Sequence, residues 1–271
     1  MRREGFLAYG ARQMTECVCA LEACLSALAP DDLRAVEDAL AAAHRLQTCL
    51  TLFAKGYPSP RVSLWKRRLR RIVRALNALR DCLRLAEWVA AQQPPPECAA
   101  GVRRALLRLH QRAETLYQTL RQAQQRWRDD HIPNEIKGLS RRWIQSFGDE
   151  AVDPDYALWV WRRFRREQLA ALESPAPSLA VRCGRVRALL EACDLLAPLG
   201  LPLECPDDLQ ARSDALDAQR FRDEAHRLLR ELLQGERERA LQYAGNLRSF
   251  GRIQKGWEWL MEHIGLDIIP S

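Results

Sequence analysis

The chain has 271 residues, 47% of them hydrophobic, with 42 basic and 35 acidic side chains and a formal net charge of +7. That composition excludes a predominantly disordered chain, and the length allows one large domain or two of ordinary size around a buried core. No run reaches the roughly 18 apolar residues of a membrane span, and the apolar part of Met1–Gln13 is too short and too interrupted for a secretory signal.

Prolines divide the sequence into runs rich in Ala, Leu, Arg, Glu and Gln, all good helix formers. β-branched residues are scarce, and no run alternates with period two over a useful length. The pattern predicts helices at about 3–29, 32–56, 62–92, 97–129, 134–147, 155–173, 178–197, 207–233 and 236–266, the last breaking near Gly251. Long helices with short connections pack as antiparallel neighbours. The expected fold is all-α, two pseudo-repeated four-helix bundles of long antiparallel helices. Residues 1–268 read as one domain, with repeat one at about 1–148, repeat two at about 153–268 and the joint at Gly148–Pro154. The repeat shows in Leu52–Pro58 (LFAKGYP) against Leu195–Pro202 (LLAPLGLP), and in Leu79-Arg80-Asp81 against Phe221-Arg222-Asp223.

The third helix carries most of the charge. Residues 61–147 hold 19 basic and 7 acidic side chains, net +12, which leaves net −5 elsewhere. Such asymmetry points to a polyanion partner. From Arg61 to Arg84, nine basic residues stand against one acid, Asp81. Leu69, Ile72, Val73, Leu76, Leu79 and Leu83 form an apolar stripe at helical spacing. Arg67, Arg71 and Arg74 lie opposite, with Arg70 on the flank; they are either a solvated face neutralised by acids of other helices or an anion groove. Arg80 falls on the apolar side, where an unpaired charge costs several kcal/mol. Neighbours at i, i+1 do not face each other on a helix, so its partner is expected from another helix or from a bound anion.

The nine cysteines are odd in number and contain no CxxC. They read as small core residues of a reducing cytoplasm, with no zinc site. His44, His110, His131, His226 and His263 show no partnered spacing, and there is no nucleophile elbow, P-loop or GxGxxG. No catalytic residue, metal or cofactor is expected. Glu236 and Glu238 read as a solvated face. Trp159/Trp161 and Trp257/Trp259 read as bundle core with an arginine rim at Arg162, Arg163, Arg165 and Arg166.

Three segments carry a resemblance. Val36–Phe53 reads VEDALAAAHRLQTCLTLF, Leu69–Arg84 reads LRRIVRALNALRDCLR and Ser178–Gly200 reads SLAVRCGRVRALLEACDLLAPLG. They resemble the signature helices of the conserved histidine α-helical domain, CHAD, roughly VHxLRVxxRRLRxxLxLF, LRxLxRxLGxxRDxDV and LHxLRxxxKRLRYxLELFAPLxG. The resemblance implies a duplicated set of four-helix bundles that binds inorganic polyphosphate through basic residues lining a central cavity. Residue by residue, it implies a binding set of His44, Arg45, Arg70, Arg74, Arg80, Arg182, Arg185 and Arg187. The sequence also departs from the family. The namesake histidine is Glu37 in the first half and Ala180 in the second. Family arginines fall on Leu40, His44, Gln47 and Thr51. A carboxylate at position 37 repels phosphate wherever it faces the cavity.

The expected function is therefore non-catalytic binding of inorganic polyphosphate in a basic cavity between helical bundles, in the cytoplasm or at polyphosphate granules. The alternatives are a helical protein-interaction module that has lost the ligand, with a protein partner, and an RNA-binding protein. Nucleic acid is the less favoured partner, and no membrane is expected.

Overall fold

The computed structural model describes residues 3–173, 178–205, 208–242 and 247–264. Among these, nine α-helices follow one another with no strand: α1 Glu4–Ala27, α2 Leu33–Leu52, α3 Ser59–Ala91, α4 Ala99–Asp129, α5 Ile132–Phe147, α6 Pro154–Glu173, α7 Leu179–Leu196, α8 Leu209–Gln242 and α9 Leu247–His263. Helix starts follow local chemistry. The Asp153 carboxylate accepts from the backbone N–H groups of Asp155 at 3.0 Å and Tyr156 at 3.2 Å, and Pro154 opens α6, where a missing N–H costs nothing. Ser178 caps α7 by accepting from Val181 N–H.

Two expected breaks are absent. Gly235 lies inside α8 and Gly251 inside α9. A helical glycine costs about 1 kcal/mol relative to alanine, and burial on both sides of Gly235, at Leu229 and Glu236, holds α8 continuous. Trp257 and Leu260 anchor α9 in the same way.

The two candidate repeat markers adopt matching local structures. A 3-10 turn at Ala54–Gly56 joins α2 to the 33-residue α3, and one at Ala197–Leu199 follows α7 ahead of the 34-residue α8. Compact units nevertheless form across the sequence halves. The first comprises Met1–Ala29, Arg34–Leu76 and Leu120–Leu216; the second comprises Pro30–Leu33, Asn77–Thr119 and Asp217–Ser271. Helices α3, α4 and α8 are each divided between them, and Gly148–Pro154 connects α5 to α6 inside the first unit.

In the first unit α1 packs along α5 and α6 along α7. Phe6, Met14, Phe53, Trp65, Trp127 and Trp161 are fully buried there. Gly10 lets the Phe53 ring lie directly on the α1 backbone, where any Cβ would collide with it. In the second unit Gly101 of α4 and Gly256 of α9 bring two helix backbones into contact. The α3 stripe, from Leu69 through Leu83, is buried throughout.

Three side-chain readings change. Cys193 and Cys205 form a disulfide, with Cα atoms 6.7 Å apart, so not every cysteine is a free core thiol and the cysteines alone no longer argue for a reducing compartment. Glu236, expected on a solvated face, is 4% exposed. It accepts from Arg104 at 3.0 Å, from Arg239 at 2.7 Å and from Arg108, binding α4 to α8 in the second unit. Glu238 does stand on the exposed face, accepting from Gln234. Arg80 is 4% exposed and reaches Asp217 of α8 at 3.5 Å, a partner from another helix. Its neighbour Asp81 is also a direct partner, at 3.1 and 3.2 Å, because a flexible guanidinium arm folds back along its own helix where two short side chains do not meet. Arg220 closes this network with two bonds of 2.9 Å to the Asp81 carboxylate.

Candidate anion-binding site

A pocket of about 410 Å³ lies within the first unit, between α2, α3, α6 and α7. Helical periodicity builds each wall. Helix α2 contributes His44, Gln47, Thr48 and Thr51, at i, i+3, i+4 and i+7 on one face. Helix α3 contributes Lys66 and Arg70, one turn apart. Helix α6 contributes Phe164 and Gln168. Helix α7 contributes Ala180, Val181, Gly184, Arg185, Arg187 and Ala188. None of the described lining residues is acidic.

The cations are placed by specific contacts. The Gln168 amide is 3% exposed, and its Oε1 accepts from Arg185 Nη1 at 2.8 Å, which fixes that guanidinium. Arg185, Arg70 and Lys66 have no carboxylate within 4.0 Å among the described residues. Burial pushes the Lys66 ammonium below the usual lysine range, and the neighbouring Arg70 charge pushes it further the same way. On the α2 wall His44 Nδ1 lies 3.3 Å from Gln47 Oε1, and the Thr51 hydroxyl donates to the Gln47 carbonyl at 3.0 Å.

Of the eight residues implied by the resemblance, His44, Arg70, Arg185 and Arg187 line this pocket. The other four lie elsewhere. Arg45 pairs with Glu191 of α7 at 3.9 Å. Arg74 is exposed one turn past Arg70 and donates to the Arg70 carbonyl. Arg182 is exposed. Arg80 sits in the buried network of the second unit. Sequence reasoning missed Lys66, although its position one turn before Arg70 is the signal that finds it. It also missed Gln168, for which the sequence carries no signal. His44 and Gln47, two of the positions where the quoted CHAD signature carries arginine, both line the pocket.

Of the four tryptophans expected in the core, Trp161 and Trp257 are buried and Trp159 and Trp259 are not. Trp161 is core, while Trp159 is 41% exposed, with Lys55 4.8 Å and Arg163 5.2 Å from its ring. Trp257 is buried, and Trp259 stacks on His263. Arg163 and Arg165 pair with Glu167 and Glu204. Asp130 takes up part of the α3 charge: its bond from Arg68, with Arg67 and Arg71 nearby, holds its carboxyl below the usual range.

The CHAD domain family model matches residues 12–157, more than half of the chain. The chain belongs to the CHAD domain family. The match includes α2 and α3, which supply the first two pocket walls, and ends inside α6. The α7 wall, with the CHAD-like segment Ser178–Gly200, lies beyond it. Neither curated proteins nor solved structures gave a match. No helix among the described residues is long and apolar enough to cross a membrane.

Glu37, at the position of the CHAD histidine, is exposed and does not line the pocket. It stands seven residues before His44, about 10 Å along α2, which exceeds the screening length of about 8 Å at physiological salt. Glu37→Gln is therefore expected to change phosphate affinity by less than about twofold at 0.15 M salt, with a larger gain at low salt. Parallel titrations at the two ionic strengths check this; a large gain at 0.15 M would place the carboxylate against the ligand.

Proposed function

We propose that the chain is a non-catalytic receptor for a phosphate polyanion, inorganic polyphosphate being the ligand associated with CHAD domains. One observation carries the reading: Lys66, Arg70, Arg185 and Arg187 meet in a single pocket with no carboxylate among its described lining residues. Burial and the Arg70 charge both disfavour the Lys66 ammonium, and a phosphate oxygen offsets both. Arg70 and Arg185 present guanidinium forks suited to successive phosphates, and Gln168 holds the Arg185 fork ready. Association with polyphosphate stores follows from the same reading. So does a single domain over 1–268 with duplicated halves, supported by the matching turns after α2 and α7.

Titration with long-chain polyphosphate tests the reading, with RNA of equal charge as competitor. Affinity should fall with salt at a slope near 0.7 per neutralised charge, about 3 for four cations. Arg70→Ala and Arg185→Ala should each weaken binding about tenfold to a hundredfold, the value of a charged hydrogen bond. Arg162→Ala and Arg166→Ala, on the surface run, should change it by less than about twofold. Equal small losses from both sets would mean diffuse attraction with no site. RNA binding tighter than polyphosphate would favour the nucleic-acid reading.

A further inference from the structure

The pocket has two unlike sides. Its permanent formal charge comes from α3 and α7, through Lys66, Arg70, Arg185 and Arg187, while α2 presents the uncharged groups of Gln47, Thr48 and Thr51 beside the His44 imidazole. A condensed inorganic phosphate carries acidic oxygens along its whole length, and the α2 wall offers it no lysine or arginine. Hydroxyl groups suit that wall better, because they donate and accept in turn. Gln47 keeps its amide N–H donors while its Oε1 faces the His44 ring, and the Thr51 oxygen keeps its acceptor capacity while its proton goes to the Gln47 carbonyl. A volume of about 410 Å³ is in the range of small-molecule sites and exceeds what one phosphoryl group fills. Phe164, the one phenyl or indole side chain among the described lining residues, is 4% exposed and stacks against Trp161, so it offers a nucleobase no open face.

We propose that the pocket selects a phosphorylated polyol, a sugar or cyclitol bearing one or two phosphoryl groups. The phosphoryl groups sit on Lys66, Arg70 and Arg185, and the hydroxyl-bearing ring lies against Gln47 and Thr51. This rests on the reading of the pocket as a phosphate site and adds the identity of the group that the neutral wall recognises.

Calorimetric titration of the full chain with fructose 1,6-bisphosphate and with pyrophosphate, at one pH and ionic strength, separates the two claims. The bisphosphate is expected to bind about tenfold tighter, a ratio equal to about 1.4 kcal/mol. Gln47→Leu should reduce that ratio to near one, and Arg70→Ala should weaken both probes in parallel. Thr51→Val gives a second readout of the ratio if Gln47→Leu does not fold. Pyrophosphate binding as tightly as the bisphosphate, with both sensitive to Arg70→Ala, would overturn the polyol inference and leave the phosphate pocket standing. Long-chain polyphosphate binding with no measurable bisphosphate binding would do the same. Failure of every phosphate compound would overturn both.

Discussion

Replacing Gly184 with leucine is expected to weaken polyphosphate binding by about a hundredfold or more while leaving the fold as stable as the parent or slightly more so. Gly184 lies in α7 on the pocket wall, and a Cβ added there meets no atom within 4 Å. A leucine side chain at that point occupies space the ligand needs. It also replaces a poor helix former with a good one, a gain of up to about 1 kcal/mol. The expected loss corresponds to denying phosphate two charge-assisted contacts at about 1.5–3 kcal/mol each. No charge changes, so diffuse attraction to a basic surface is unaffected. The same polyphosphate titration, with a circular-dichroism melt beside it, decides the matter. Unchanged affinity in a fully folded variant would place the ligand outside this pocket.

Glu236→Gln is expected to cost about 3 kcal/mol of stability, because removing one partner of a buried ion pair leaves uncompensated charge. Arg108, Arg104 and Arg239 all converge on this carboxylate. For a domain of this size, that corresponds to a melting temperature lower by roughly 6–12 °C. The pH dependence has a definite sign. Burial pushes the Glu236 carboxyl up, but the hydrogen bonds and charges of Arg108 and Arg104 more than offset it, so it titrates below the usual glutamate range. Its contribution is therefore complete above the unfolded value near 4.3 and is lost as pH falls through the lower folded value. Parent and variant melts should converge in acid. None of these residues lines the candidate anion pocket, so folded Glu236→Gln should bind polyphosphate like the parent. Coincident melts at neutral pH would show the network to be energetically idle.

Much of the architecture was readable because helices announce themselves through period and punctuation. The stripe from Leu69 to Leu83 repeats at 3.6 residues, and every member is buried. The starts of α6 and α7 follow from Asp153-Pro154 and Ser178. Gly235 misled because a weak helix former says nothing about the packing on either side of it. Glu236 and Cys193 misled for a related reason: a sequence shows which face of a helix a residue occupies, not which other chain segment covers that face. The same limit divided the candidate site. Arg70 and Arg185 share a pocket, whereas Arg45 is drawn to Glu191 and Arg80 to Asp217, acids that the family pattern does not place, and Arg80 also folds onto Asp81, its neighbour in that pattern.

The interleaving of the two units also bears on how the protein is made. Helix α1 leaves the ribosome about a hundred residues before α5, the helix it packs against. At a synthesis rate of roughly 5–20 residues per second, that interval lasts about 5–20 s. Throughout it, the α1 face lacks its α5 cover, although Phe53 is made early enough to meet Phe6 and Gly10. The second unit waits longer still, since Asn77–Thr119 must be joined by α8 and α9. Folding half by half along the sequence is thus closed to this chain, since the first unit is complete only at Leu216 and the second only after it: its early helices are natural clients for chaperones that shield apolar faces on nascent polypeptides, and a ribosome stalled midway releases two unfinished cores together.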